Sequence, residues 1–235
     1  MVPCSIRPPF FEIGPKSYLY GDQLLDLALA ADAASEKYDI DIIFTTPYAE
    51  IRRIVEHTKR LFVFAPHMDP IRPGRGLADI LPEGIRAAGA TGVMLNHCEK
   101  PLPLSAVNQT IRRAEEVGLI TIVCSDTIEE AKAIAQLSPD IIVAEPTGLI
   151  GTGETSGMDY VRASIDAVKS VNPAIMVLQG AGIKNGEDVF QVIHAGAEAT
   201  GSSSGIAKAA DPGAMVDEMI HAVRKGYDAL YSKKH

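Results

Sequence analysis

The feature that most constrains this chain is a regular alternation between short apolar runs and longer amphipathic stretches. Short runs are typical of strands, and their nearly continuous apolar character in mid-chain is expected where both faces of a parallel sheet are buried. We predict strands at Phe10–Ile13, Ile40–Phe44, Leu61–Ala65, Gly92–Leu95, Leu119–Val123, Ile141–Ala144, Ala174–Leu178 and Ala197–Thr200.

The segments between these runs have the length and pattern of helices. They are Asp22–Lys37, Ala49–Thr58, Asp79–Ala88, Pro103–Val117, Thr127–Gln136, Met158–Ser170 and Gly186–Ala195, with Asp211–Tyr227 closing the series.

A series of βα units in a chain of 235 residues predicts an α/β fold, a single-domain (β/α)8 barrel over residues 1–235. A doubly wound open sheet is the alternative. That sheet more naturally carries a glycine-rich fingerprint after its first strand, whereas Gly14-Pro15-Lys16 follows here.

Composition excludes several function classes. A net charge of -8 and a pI near 5.3 argue against a broad nucleic-acid surface. The three cysteines form no CxxC pair, so we expect neither a disulfide framework nor a structural zinc site. The sequence shows no signal peptide at its start and no run long enough to span a bilayer. We expect a cytoplasmic protein with no membrane or nucleic-acid partner, no metal and no organic cofactor.

Polar residues follow several predicted strands, at the end of the barrel where chemistry is expected. Lys16 comes after the first strand, His97 after the fourth, and Glu145 ends the sixth. Each has an ordinary interpretation alone: a solvated cation, a loop-orienting histidine, and a helix cap or ion-pair partner. Together, a base, a neutral electrophile and a cation suit proton abstraction next to a carbonyl.

The last two strands lead into loops of small residues. They are Gly180-Ala181-Gly182 and Gly201-Ser202-Ser203-Ser204-Gly205. Such loops let backbone N–H groups approach a phosphate, and phosphate sites recur at this place in (β/α)8 barrels. Tight turns that merely need glycine are the alternative, but two adjacent loops of this kind favour an anion site.

Five segments, taken in order and spacing, resemble the triosephosphate isomerase family, and its shorter archaeal branch most. They are "HMDPIRPGRGLADILPE" (His67–Glu83), "MLNHCEK" (Met94–Lys100), "VAEPTGLIGTG" (Val143–Gly153), "GAGIKNGEDV" (Gly180–Val189) and "SSGIAKAADP" (Ser203–Pro212). The resemblance implies a TIM barrel that forms a homo-oligomer, either a dimer or a tetramer.

The resemblance also implies an aldose–ketose isomerase of small phosphorylated sugars, with glyceraldehyde 3-phosphate and dihydroxyacetone phosphate as the default pair. By position, Glu145 is the expected base, His97 the expected electrophile and Lys16 the expected cation. The remaining substrate- and phosphate-binding positions are Ile150 and Gly151 of a closing loop, and Gly182, Ser203 and Ser204 of the two small-residue loops.

Three changes depart from the family pattern, one of them in a pair of residues. Gly14 stands where the family has asparagine, Leu77-Ala78 replaces a Thr-Gly pair, and Pro66 replaces a glutamine. These departures leave alternatives open. One is an isomerase of another phosphorylated ketose, such as a tetrulose phosphate. Another is a phosphate-binding relative without catalysis, and a third is a biosynthetic barrel that shares only the phosphate site.

Overall fold

Eight parallel strands close into a barrel in chain order. A computed structural model describes residues 6–146, 157–180 and 182–232. Each strand pairs with the next, and the first pairs with the last, so the barrel is confirmed and the open sheet is wrong. The strands are β1 (Phe10–Ile13), β2 (Asp41–Thr45), β3 (Phe62–Ala65), β4 (Gly92–Leu95), β5 (Ile120–Ser125), β6 (Ile141–Ala144), β7 (Met176–Gln179) and β8 (Ala199–Ser202).

Helices surround the barrel and alternate with its strands. In the described ranges they are α1 (Gly21–Tyr38), α2 (Ile51–His57), α3 (Pro82–Ala87), α4 (Leu104–Val117), α5 (Ile128–Ala135), α6 (Met158–Val171), α7 (Gly186–His194), α8 (Ser204–Ala207) and α9 (Pro212–Ser232). A 3₁₀ turn, Tyr48–Glu50, precedes α2. Over these ranges, no helix has both the length and the apolar character needed to cross a bilayer.

Strand side chains alternate between two cores because successive residues of a strand point to opposite faces. Phe11 and Ile13 pack in the layer between barrel and helices, whereas Phe10 and Val143 fill the barrel interior. A residue two positions beyond an interior residue therefore points inward again, nearer the mouth. That geometry carries polar side chains from the strand ends into the mouth of the barrel.

The predicted start of the third helix is wrong. The prediction began at Asp79, whereas α3 begins at Pro82. Leu81 is extended, with φ −73° and ψ 123°, because the residue before a proline disfavours the helical region. Asp69 holds the preceding loop by accepting the Ile80 N–H at 2.7 Å.

The last strand was predicted two residues too early. Gly196 has φ +104°, and the Ala197 N–H donates to the Val192 carbonyl at 3.3 Å, so Ala197 still belongs to the turn that ends α7. The strand therefore runs to Ser202, which was predicted as loop. The short helix α8 was also not predicted, because one turn is too short to show a helical period.

Candidate active site

A cleft of about 390 Å³ opens at the carboxyl ends of the strands. Its lining includes every predicted site residue that the structure describes, namely Lys16, His97, Glu145, Gly182, Ser203 and Ser204. The other two predicted residues, Ile150 and Gly151, lie outside the described residues. The barrel thus brings together side chains that are far apart in the sequence.

Glu145 directly follows β6, two residues beyond the interior residue Val143. Its backbone N–H donates to the Ser125 carbonyl at 3.0 Å, which extends the β5–β6 pairing by one step. Its side chain lies against Gly180, where a Cβ atom would be 2.9 Å from both Cβ and Cδ of Glu145. A glycine after β7 therefore leaves the room that this carboxylate occupies.

The turn that carries His97 is fixed by the residue before it. Asn96 has φ +57°, a left-handed conformation that asparagine tolerates better than most residues. Its side chain donates to the Cys124 carbonyl at 3.0 Å and accepts the Leu102 N–H at 2.9 Å. The turn is therefore tied to β5 on one side and to the start of α4 on the other.

The ring of His97 has a defined tautomer. The Glu99 N–H donates to its Nδ1 atom at 3.1 Å, so Nδ1 accepts and the proton of the neutral ring is on Nε2. Burial lowers the pKa of His97, and the positive charge of Lys16 lowers it further, against a smaller opposing effect of Glu99. A neutral imidazole that donates through Nε2 follows from these contacts.

Lys16 is held by a carboxylate from the same loop as His97. Its Nζ atom lies 2.9 Å from Oε1 of Glu99. Burial by itself lowers the pKa of Lys16, but the hydrogen bond to Glu99 and the charges of Glu99 and Glu145 outweigh burial and raise it. The ammonium group is therefore charged at neutral pH.

The loops after β7 and β8 also line the cleft. They approach so closely that a Cβ atom on Gly205 would be 2.5 Å from the Ile183 carbonyl oxygen. The Ser203 hydroxyl is buried and has no hydrogen-bond partner within the described residues. Lys184 and Lys208 line the same cleft. Small residues, an unpaired hydroxyl and two cations together suit a phosphate group.

Comparison with known proteins decides the family. The family model described as triosephosphate isomerase matches residues 16–219. The chain belongs to the triosephosphate isomerase family. It is 38% identical over 203 residues to the triosephosphate isomerase of Methanocaldococcus jannaschii, covering 85% of this chain and 92% of that protein. The proteins of the same name from Methanosarcina barkeri and Saccharolobus solfataricus are 34% and 32% identical over 220 residues, covering 92% of this chain and 99% and 96% of the relatives. The predicted archaeal-type resemblance is confirmed.

Sequence reasoning missed one acid in this triosephosphate isomerase family member. Glu12, on β1, lines the cleft although the residue is only 8% exposed. Burial raises the pKa of Glu12 to about 7, against the lowering effect of the Thr45 hydroxyl; the charge of Glu145 raises it further and that of Lys16 lowers it. Glu12 follows the interior residue Phe10 by two positions, as Glu145 follows Val143, but the sequence alone does not show that Phe10 points into the barrel.

The side chain of Glu12 lies beside Gly14, one of the residues that differ from the family pattern. A Cβ atom on Gly14 would be 3.0 Å from Oε1 of Glu12. The carboxyl of Glu12 thus fills the space beside Gly14. Within the ranges that the structure describes, no cluster of His, Cys, Asp or Glu side chains is arranged to hold a metal ion.

Proposed function

We propose that this protein interconverts D-glyceraldehyde 3-phosphate and dihydroxyacetone phosphate through an enediolate. The observation that carries the proposal is one cleft, in a chain of the triosephosphate isomerase family, that is lined by a carboxylate, a neutral imidazole and a lysine beside two small-residue loops. Those groups supply the roles that proton transfer next to a carbonyl requires.

Glu145 is the proposed base. Its carboxylate takes a proton from the carbon next to the carbonyl, and the electrons of the broken C–H bond form the C=C bond of the enediolate. The protonated acid then returns the proton to the adjacent carbon, and the hydroxyl proton of the first carbon passes to the oxyanion on the second, so that the carbonyl changes place with no net oxidation. A single carboxylate can serve both carbons because they are bonded neighbours.

His97 and Lys16 are the proposed stabilisers of the developing oxyanion. The Nε2–H of the neutral imidazole donates to the carbonyl oxygen as it gains negative charge, and the Lys16 ammonium adds a fixed positive charge nearby. Donors held in place before the reaction need no reorganisation in the transition state, which is why the contacts of Asn96 and Glu99 matter to catalysis.

The phosphate group is proposed to bind the loops after β7 and β8. Gly182 and Gly205 line the cleft and have no side chains to keep a phosphate away from their backbone, and the buried hydroxyl of Ser203 supplies a donor. Ser204 lies at the start of the one-turn helix α8 and lines the same cleft. Ile150 and Gly151 stay predictions from the family resemblance.

Replacing Glu99 by glutamine should weaken substrate binding. Without its charge the ion pair that holds Lys16 is lost, so we expect KM to rise about two- to fivefold, as for a partly exposed ion pair, with a smaller change in kcat. The difference in KM between wild type and Glu99→Gln should become smaller at high salt, because salt screens exposed ion pairs. Steady-state kinetics at two ionic strengths test this.

A matched control is Glu115→Gln. Glu115 also pairs with a cation, Arg112, at 3.0 Å and with similar exposure, but on the outer helix α4. We expect wild-type kinetics from this variant. Wild-type KM and salt dependence in Glu99→Gln would show that Glu99 does not position Lys16.

The proposed function predicts rapid interconversion of the two triose phosphates, with exchange at carbon. In D₂O, recovered substrate and product should carry deuterium on the carbons that the base deprotonates, and no cofactor should be needed. NMR of the reaction mixture measures both rates. Absence of triose phosphate turnover in a folded preparation that still binds inorganic phosphate would reject the reaction and leave only a phosphate site.

The alternatives raised by Gly14 and Leu77 are not favoured. The relatives reported above carry the triosephosphate isomerase name, and the structure brings Lys16, His97 and Glu145 into one cleft. We also propose a cytoplasmic homo-oligomer. Free thiols at Cys98 and Cys124 support a reducing compartment, and the resemblance to the family supports the homo-oligomer.

A further inference from the structure

Glu12 is a buried acid whose bonding is incomplete. The residue is only 8% exposed, and neither its Oε1 atom nor the nearby Thr45 Oγ1 atom makes a hydrogen bond of normal geometry among the described residues. An unpaired buried polar atom is costly, so a ligand that enters the cleft and hydrogen-bonds to Oε1 would bind more tightly for that contact. Glu12 lines the same cleft as Lys16, His97 and Glu145, which places it where a ligand can supply that partner.

The site around Glu12 repeats the construction around Glu145. Glu12 on β1 is paired in register with Gly201 on β8, where a Cβ atom would be 3.0 Å from Cβ and 3.1 Å from Oε2 of Glu12. Glu145 stands beside Gly180 in the same way at the end of the neighbouring pair of strands. Each acid therefore lies over a glycine of the adjacent strand, and Gly14 gives Glu12 further room.

We infer that Glu12 is a further substrate-contacting residue, whose carboxyl group hydrogen-bonds an oxygen of the three-carbon chain of the sugar phosphate. This inference rests on the proposed function. It assigns Glu12 to substrate binding and specificity, and leaves proton transfer at carbon to Glu145.

The chemistry around Glu12 selects the kind of ligand oxygen. The charges that act on Glu12 are those of Lys16 and Glu145, and the charge of Glu12 in turn raises the pKa of Cys124. The uncharged Thr45 on β2 lowers the pKa of Glu12, and β8 presents Gly201. An ionised Glu12 would repel a phosphate, so its partner is a hydroxyl or carbonyl oxygen of the carbon chain. The raised pKa of Glu12 supports a neutral carboxyl group below pH 7, which donates as a carboxamide does.

The test compares Glu12→Gln with Glu12→Leu. Glutamine keeps the size and a donor, so we expect KM within about threefold of wild type, whereas leucine should raise KM at least about tenfold with a smaller effect on kcat. Wild-type kcat/KM should also fall as pH rises through about 7, since the donating proton is lost, and this fall should be absent in Glu12→Gln. Wild-type kinetics in Glu12→Leu would overturn the inference.

Ligand binding separates this inference from the proposed function. Calorimetry with glycerol 3-phosphate and with inorganic phosphate needs no turnover. We expect Glu12→Leu to weaken glycerol 3-phosphate binding about tenfold and to leave inorganic phosphate binding unchanged. If Glu12→Leu binds each of the two probes with the same affinity as wild type, the inference is overturned even if the isomerase is active. Suppose that wild type has no isomerase activity but Glu12→Leu still loses affinity for glycerol 3-phosphate alone. The proposed reaction is then rejected, and the contact between Glu12 and the carbon chain is retained.

Asp41→Asn is the control for general effects of a buried acid. Asp41 lies at the opposite end of the barrel, 7% exposed, and accepts hydrogen bonds from the backbone and side chain of Arg7. Its substitution should lower thermal stability without changing the ratio of glycerol 3-phosphate to inorganic phosphate affinity. A purely structural Glu12 would behave like Asp41, and its leucine variant would then show the same unchanged ratio.

Discussion

Glu145→Gln is expected to lower kcat by about 10³-fold or more, with KM changed only a fewfold. Glutamine has nearly the same shape and fits the space beside Gly180, but its amide is not basic and cannot take a proton from carbon. Binding of the phosphate is made by other residues, so the loss should fall on the chemical step. Steady-state kinetics measure kcat and KM, and deuterium incorporation from D₂O measures proton abstraction directly.

Glu36→Gln makes the same chemical change on an exposed face of α1, away from the cleft, and should leave both constants as in wild type. If Glu145→Gln retained near-wild-type turnover and solvent exchange, Glu145 would not be the base. Glu12, a second carboxylate at the inner end of a strand, has a raised pKa and would then be the next candidate for the base. Kinetics of Glu12→Gln would test that role.

The barrel could be predicted from sequence because its signal is repeated. Each apolar run is buried on two faces, so its composition is distinctive, and the regular spacing of the runs limits the topologies. The places of Lys16, His97 and Glu145 followed from one rule, that strand ends meet at one face of the barrel. Their convergence did not require knowledge of any side-chain contact.

Glu12 could not be found in the same way, because "FFEI" contains an acid inside a buried strand. A sequence pattern assigns such a residue to a strand but does not show which face it occupies. Only barrel closure shows that Glu12 shares the inward face with Phe10 and lies beside Gly201. The cations Lys184 and Lys208 were missed for a related reason, since they lie in loops whose path depends on the contact between the last two βα units.

Gly180→Ala is expected to lower kcat about 10²-fold although it leaves the carboxylate in the chain. The new methyl group would lie 2.9 Å from Cβ and Cδ of Glu145 and 3.1 Å from Cγ, so the whole side chain must shift. A displacement of about 1 Å at a reacting group can cost on the order of 10² in rate. Gly84→Ala on the exposed face of α3 meets only the Leu81 Cβ at 3.8 Å and should leave kinetics unchanged.

A double-mutant cycle shows whether Gly180 acts through Glu145. If alanine at position 180 acts by displacing the base, it should change the residual rate by less than about twofold once Glu145 is already glutamine, because neighbouring residues with one shared role are not additive. A further 10²-fold loss in the Glu145→Gln background would instead place the effect in the adjoining phosphate loop. In that case inorganic phosphate should bind more weakly to Gly180→Ala, whereas displacement of Glu145 alone leaves that affinity unchanged.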